Sequence, residues 1–304
     1  MFRQEYHLRK SSGALVVQSR VFWPYRLVTN LLQRLLQLYP EQFAIETQTP
    51  VISITIDEAD TEYPYILTTP RGTVRAAKVF HCTSGFTGHL LPKLRGAIFP
   101  CRLSMTTQKP GPQWGNRPNS WLFHTKQSYD PNTTLVEQGL YWMQQNAETG
   151  DLFFGGDLQR LDDFLSSDDS VISADSARNL TDLLPKRLFK EGWTNPITNT
   201  TMTSATALHR IWSGILSMTA DQVPIVGSVP TSISGRNVEG GEWIAAGFNG
   251  YGMSQCWLCG EAIARMALGE QKPEWLPDVY LSTERRLGDV SMGSEAALAS
   301  FFAR

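Results

Sequence analysis

The segment that most constrains the fold runs from Trp243 to Gly269. Residues 243–248, WIAAGF, carry no charge and only small or apolar side chains, which suits a strand covered on both faces of a central sheet. A glycine-rich turn, GFNGYG (247–252), follows at once. A helix is predicted from about Met253 through SQCWLCGEAIARMAL, closed by Gly269. A strand buried on both faces needs other elements above and below it, so the order strand, turn, helix calls for a layered α/β body. Glycines also let a backbone approach a ligand, and a helix N-terminus offers unpaired N–H groups and partial positive charge to an anion or a polarised carbonyl. An ordinary strand-to-helix turn has the same pattern. The segment therefore argues for a fold class before it argues for any chemistry.

At 304 residues the chain is long enough for two domains. Between Tyr25 and Tyr39 the apolar positions Val28, Leu31, Leu32, Leu35, Leu36 and Leu38 recur at three- and four-residue steps before Pro40, the pattern of an amphipathic helix packed on a sheet. FAIETQTPVISITID (43–57) and YPYILTTPRGTVRAAKVFHCTSG (63–85) read as a three-stranded meander turning at Pro70-Arg71-Gly72. From about Thr106 to Thr134 the density of Pro, Gly, Asn, Ser and Gln predicts a long loop crossing into another domain. GLYWMQQ and DLFFGGD, either side of NAETG, predict a hairpin. SADSARNLTDLLPKRLF (173–189) predicts a helix and RIWSGILSM (210–218) a strand. The expected organisation is one layered α/β domain from 25–92 and 216–285, and a second domain over about 98–212 built on an antiparallel sheet.

Charge and composition exclude several partners. With 27 basic against 29 acidic residues, nothing draws the chain to nucleic acid or to an anionic membrane surface. The longest apolar stretches fall short of a membrane span, MFRQEYHLRK lacks the apolar core of a secretory signal, and FFAR carries no sorting address. The expectation is a soluble, intracellular, cytoplasmic protein. Cys82, Cys101, Cys256 and Cys259 give no disulfide framework and are expected as reduced, buried thiols. Cys256 and Cys259 form a C-x-x-C without a second one, and are expected on one apolar helix face. The five histidines show no metal-ligand spacing and no serine sits in G-x-S-x-G, so no metal centre or hydrolase site is expected.

Other segments offer weaker chemistry. Thr83-Ser84-Gly85-Phe86-Thr87-Gly88 follows the strand KVFHC, and small hydroxyl residues there either line a nucleotide edge or make a plain turn. Thr219 to Gly227 is a polar loop entering a short apolar strand. Tyr141, Trp142, Phe153 and Phe154 suit a core or the wall of a substrate pocket. Arg102 and Arg210 flank apolar strands and suit a structural ion pair or the carboxylate of a substrate.

Taken in order, WPYRLVTNLLQRLL, TQTPVISI, TPRGTVRAAKVFHCTSGFTGHLLP, WSGILSMTADQVPIVGSVP, EWIAAGFNGYGMSQCWLCGEAIARM and WLPDVYLSTER resemble the FAD-dependent oxidoreductase family typified by D-amino-acid oxidase and sarcosine oxidase, the DAO family, and in particular its fungal-type members. The resemblance runs from about Trp23 to Arg285. It implies a glutathione-reductase-like FAD/NAD(P)-binding domain from 1–95 and 213–290, an antiparallel-sheet substrate domain from 96–212, and a C-terminal tail from 291–304. It implies cofactor contacts at Val51, beside the adenine; at Thr83, Ser84 and Gly85, on the nucleotide side; and at Pro224 and Gly227, beneath the flavin. Gly247, Asn249, Gly250, Tyr251, Gly252 and Met253 match the C-terminal flavin motif, and Arg102, Tyr141 and Trp142 are candidates for the substrate pocket. The implied activity is oxidation of a small amine or amino acid by a flavoprotein.

Two departures accompany the match. The family opens with a strand, a G-x-G-x-x-G turn and a helix for the FAD pyrophosphate, and no such turn precedes Trp23. The chain is therefore expected to be a truncated form that holds FAD weakly, with an exposed sheet edge to be covered by a second copy or a partner chain. The cysteine that carries covalent flavin in sarcosine-oxidase relatives falls near Gly214, so any flavin is non-covalent. Leu103, where relatives often have glycine, adds bulk near the expected flavin edge. Two other readings stay open at this point: a flavin-free relative catalysing an isomerisation or cyclisation, and an incomplete gene product that needs a partner chain.

Overall fold

A computed structural model describes residues 8–9, 11–18, 21–117, 119–156, 158–189, 193, 207–289 and 292–293. Apart from 292–293, the tail expected at 291–304 lies outside them. The described chain divides into two compact units, residues 22–100 with 216–304, and residues 1–21 with 101–215.

In the unit of 22–100 and 216–304, α1 (Pro24–Leu38) is followed by the strands β1 (Ser53–Ile56), β2 (Tyr65–Thr69), β3 (Gly72–Ala76) and β4 (Val79–His81). β1, β2 and β3 form the expected antiparallel meander, with Ile54 opposite Leu67 and Leu67 opposite Val74. The other unit supplies β5 (Ile98–Gln108), β6 (Ser120–His124), β7 (Ser128–Asp130), β8 (Leu135–Glu137), β9 (Leu140–Gln145), β10 (Leu152–Gly156) and β11 (Gln159–Arg160). It also supplies α2 (Ala174–Asp182) and β12 (Leu208–Thr219). β5 starts in the first unit and β12 ends there. The chain then forms β13 (Ile225–Ser228), β14 (Glu242–Ala246), α3 (Gly252–Ala267) and α4 (Glu284–Leu287).

β14 is the centre of a three-stranded sheet, antiparallel to β13 and parallel to β4. All five of its residues are buried. The two-residue alternation of a strand puts successive side chains on opposite faces, and with both faces covered the four residues after Glu242 are apolar. Ile244 and Ala246 join Ile225, Leu91, Leu94 and Ile98 in one core, while Trp243 and Ala245 pack with Cys259, Ala262 and Ile263 of α3 on the other face. Gly269, at φ +91°, adopts the left-handed conformation that ends α3. The second unit is built on a five-stranded sheet in the order β12-β5-β10-β9-β6, with a smaller sheet β11-β8-β7. Its core gathers Trp114, Tyr141, Met143, Leu152, Phe154 and Phe189.

Three expectations are corrected. The stretch 106–134 is not one long loop: it holds the end of β5, β6 and β7, and Trp114 is buried. In β6, Trp121 and Phe123 alternate inward and pack their rings against Phe189, which outweighs the Pro- and Gly-rich flanks. α1 forms where its periodicity predicts, but none of its 15 residues is buried, and Leu27, Val28, Leu31, Leu36 and Leu38 remain exposed. Periodicity shows that a helix has an apolar stripe and says nothing of what covers it. Cys82 and Cys256 are exposed, and only Cys101 and Cys259 are buried.

Candidate functional site

The turn between β14 and α3 reverses the chain through three left-handed residues, Gly247 at φ +74°, Asn249 at +53° and Gly250 at +85°. Gly247 is obligatory for packing as well as for conformation, since a Cβ there would lie 2.3 Å from Thr219 Cγ2. Asn249 is a residue type that tolerates the left-handed region, and its amide is fully engaged. Nδ2 donates to Gly247 O at 2.8 Å and to Thr219 Oγ1 at 3.0 Å, while Oδ1 accepts from the Thr219 N–H at 2.8 Å. Its backbone N–H donates to Ser217 O at 3.1 Å. The hydroxyl of Ser217, a buried residue near the end of β12, lies 2.7 Å from that of Ser84. Ser84 is again left-handed, at φ +47°, and its carbonyl accepts from Thr87 Oγ1 at 2.7 Å. Thr87 Oγ1 in turn lies 2.9 Å from Thr83 Oγ1.

This network ties 83–87 at the end of β4, 217–219 at the end of β12, and 247–252 at the start of α3 into one surface. Gly85 is buried within it, Gly252 half-buried, and Tyr251 and Met253 are exposed at its rim. The segments 83–88, 216–220 and 247–253 contain no Lys, Arg, Asp or Glu. The three segments are therefore themselves polar and uncharged, apart from the partial positive charge at the start of the 16-residue α3, and the neighbouring Arg95 spends its Nε on the Gly88 carbonyl at 2.8 Å. Such a donor set fits the uncharged, carbonyl-bearing edge of a flavin ring. The segments themselves offer no cation to a diphosphate, so their fit is to one end of FAD.

The remaining cofactor candidates lie apart from that network. Val51 packs against the cluster of Ile54, Tyr65 and Val79. Gly227, at φ +138°, faces Ser282, whose Oγ would lie 2.8 Å from a Cβ. The Pro224 carbonyl accepts from Arg286 Nη1 at 3.0 Å. Arg286, on α4, also forks onto Asp221 at 2.8 and 3.1 Å and donates to the Val223 and Tyr280 carbonyls at 2.7 and 2.9 Å. It clamps the 221–224 loop. Sequence reasoning missed this role, although Arg286 directly follows the STER run.

The substrate-pocket candidates lie in the other unit and are occupied by internal partners. Arg102 is buried, with Nη2 donating to Asp163 Oδ1 at 2.6 Å and Nη1 to Asp168 O at 3.0 Å, so the structural ion pair is what forms. Tyr141 is fully buried and donates from its hydroxyl to Glu137 Oε1 at 2.9 Å. Trp142 Nε1 donates to Met105 Sδ at 3.0 Å.

A charged cluster at the start of β14 also escaped the sequence reading, which began that strand at Trp243. Glu242 is buried, takes a fork from Arg236 at 2.6 and 2.7 Å, and lies 2.8 Å from Nε2 of buried His81. Burial works to raise the Glu242 carboxyl, but the hydrogen bonds from Arg236 and His81 outweigh it and hold it below the usual carboxylate value. Burial first, and the Glu242 charge second, push Tyr65 up to about 12. Among the described residues no group of His, Cys, Asp and Glu side chains could hold a metal ion, and no helix is long and apolar enough to cross a membrane.

A family model described as "DAO: FAD dependent oxidoreductase" matches residues 3–266. A comparison with curated proteins gives no match. Among solved structures, glycine oxidase from Geobacillus kaustophilus aligns with a TM-score of 0.52 at 17% identity, covering 79% of this chain and 53% of that one. L-proline dehydrogenase from P. horikoshii aligns with a TM-score of 0.52 at 17% identity, covering 79% and 55%. Iminodiacetate oxidase from Chelativorans sp. BNC1 aligns with a TM-score of 0.53 at 15% identity, covering 84% and 57%. The chain spans about half the length of these structures, and at such identities they show a shared fold. The family match extends over most of the chain and takes in the exposed helix α1, the Asn249 turn and all but the last residue of α3, and the protein belongs to the DAO family of FAD dependent oxidoreductases.

Proposed function

We propose that the chain is an oxidoreductase for a small amine or amino acid, using FAD held non-covalently with its ring end against the start of α3. The observation that carries this reading is the hydroxyl and amide network joining Ser84, Ser217, Thr219 and Asn249. Holding Ser84 in the left-handed region costs about 1–3 kcal/mol, and such strain collects where a surface must present its groups in one arrangement. The names of the three similar structures all point to amino or imino acids.

When bound, the flavin supplies acceptance of a hydride from the carbon beside an amine. The chain's own residues orient the ring. Asn249 sets the turn from which α3 starts, so that the N–H groups opening the helix would meet a ring carbonyl. Thr83, Ser84 and Gly85 would border the nucleotide side. Gly214, with no side chain, leaves the flavin unattached.

Since these segments answer the ring and not the diphosphate, the chain alone is expected to bind flavins weakly, and riboflavin within about tenfold of FAD. Fluorescence titration of the purified 304-residue chain with both compounds tests this. Saturable binding by both, lost in Asn249→Ala, supports the reading. No saturable binding of either, or a yellow protein retaining one FAD per chain through gel filtration, overturns it. A second reading, that a partner chain or second copy completes the site, is favoured by the uncovered face of α1 and by β4, whose one strand neighbour among the described residues is β14. Light scattering with and without FAD tests that reading.

A further inference from the structure

Cys256 and Cys259 stand one turn apart on α3, the first exposed and the second only 3% exposed. Sequence spacing alone placed both on a buried apolar face. The structure separates them: an oxidant arriving from solvent meets Cys256, and Cys259 lies behind it in the core with Trp243, Ala262 and Ile263. On an α-helix, residues three apart hold their Cβ atoms about 5–6 Å apart, and a disulfide needs about 3.5–4.5 Å. The gap closes when that turn tightens toward 3₁₀ geometry, in which positions i and i+3 eclipse. The other two thiols lack this arrangement. Cys101 is fully buried, and Cys82 is exposed at the end of β4 with no cysteine one helical turn away.

We propose that Cys256 and Cys259 form a redox-active dithiol, in which Cys256 reacts with hydrogen peroxide and Cys259 resolves the product as a disulfide within α3. In the first step the Cys256 thiolate attacks one peroxide oxygen. An S–O bond forms, the O–O bond breaks, and the departing hydroxide takes up a proton as water. Sulfur is oxidised by two electrons to the sulfenic acid and the peroxide is reduced. In the second step the Cys259 thiolate attacks that sulfur, the S–S bond forms, the S–O bond breaks, and a second water leaves. Two thiols and one peroxide thus give one disulfide and two waters. The second step draws on the Cys259 thiolate. Burial and the neighbouring Cys256 push the Cys259 thiol up to about 11, so its thiolate fraction rises roughly tenfold per pH unit across the neutral and mildly alkaline range. The tightened turn begins four residues after Gly252, so oxidation repacks the start of α3 next to the Asn249 turn. None of this depends on flavin binding, because the peroxide is supplied from outside.

The test uses the reduced full chain, exposed to hydrogen peroxide at pH 7 and pH 9, quenched with N-ethylmaleimide and read by intact-mass and peptide mass spectrometry. The expected result is a mass loss of two hydrogens, a Cys256–Cys259 linkage in the peptide, and closure at least tenfold faster at pH 9. Cys256→Ser alters an exposed side chain and is expected to abolish the two-thiol loss. In Cys259→Ala, dimedone is expected to trap the sulfenic acid at Cys256. Two-thiol loss persisting in Cys256→Ser, or both thiols of α3 alkylated while Cys82 is oxidised, overturns the proposal, as does closure at equal rates at the two pH values.

Discussion

Arg236→Ala removes both guanidinium hydrogen bonds from a carboxylate that is only 2% exposed, leaving His81 Nε2, 2.8 Å away, beside it. Breaking a buried pair from one side costs about 3–5 kcal/mol, because the surviving charge stays desolvated. The pH dependence gives a sharper test than the size. In the native protein the Glu242 carboxyl lies below its unfolded value, so its contribution to stability is present above about pH 4.5 and is lost as pH falls through the lowered value. In the variant, burial dominates and the carboxyl rises above its unfolded value. Stability is then lost as pH rises, since the folded state must either hold an uncompensated charge or keep a proton the unfolded chain has given up. Urea denaturation followed by circular dichroism from pH 4 to pH 7 should show the deficit widening with pH. Adding Glu242→Gln to the variant should recover most of the loss at pH 7. A deficit below about 1 kcal/mol at pH 7, or one equal at pH 4 and pH 7, would refute the assignment of this cluster as a compensated buried charge.

Gly247→Ala should destabilise by about 1–3 kcal/mol in thermal unfolding, because it combines a left-handed φ of +74° with a Cβ 2.3 Å from Thr219 Cγ2. Arg286→Ala should loosen the 221–224 loop and speed amide exchange there, at a cost of about 2–4 kcal/mol for a nearly saturated guanidinium; Arg286→Lys should rescue only part, since an ammonium lacks the fork that matches Asp221. Leu27→Lys with Leu31→Lys on α1 should change stability by no more than about 0.5 kcal/mol while reducing self-association in light scattering, since both side chains are exposed.

The parts of the fold that were legible in the sequence are those where periodicity and turn chemistry agree. The β14 strand, its glycine turn and α3 announce themselves by an unbroken apolar run, three glycines in six residues and a closing Gly269. The meander is marked by β-branched alternation around Pro70-Arg71-Gly72. β6 was lost because SWLFH is a short alternation between loop-forming segments, and what makes it a strand is pairing with β9, residues further along the chain. Exposure of Cys256 was illegible because α3 carries apolar residues around most of its circumference, Trp257 and Leu258 among the exposed ones, so the pattern does not say which side faces the sheet. Within the site, Asn249 was legible as part of a motif. Its partners Ser217 and Thr219 were not, because a hydroxyl network between remote segments leaves no periodic trace.

β4 and β14 are neighbours in their sheet, yet His81 and Glu242, which join them, are 161 residues apart in the chain. Closing so long a loop carries an entropy cost that only later contacts offset, and it lowers the folding rate of any domain that depends on it. On a ribosome, where synthesis runs from the N-terminus, β4 emerges well before the strand that covers it, and the whole of 101–215 is made in between. That insert can acquire its own core first, because its five-stranded sheet gets four strands, β5, β6, β9 and β10, from residues 98–156. The order of assembly is therefore inside-out with respect to the sequence. The middle of the chain folds first, and the unit that carries the Asn249 turn closes last, after a period in which its first half offers an unpaired strand and an uncovered leucine stripe to whatever chaperone is at hand.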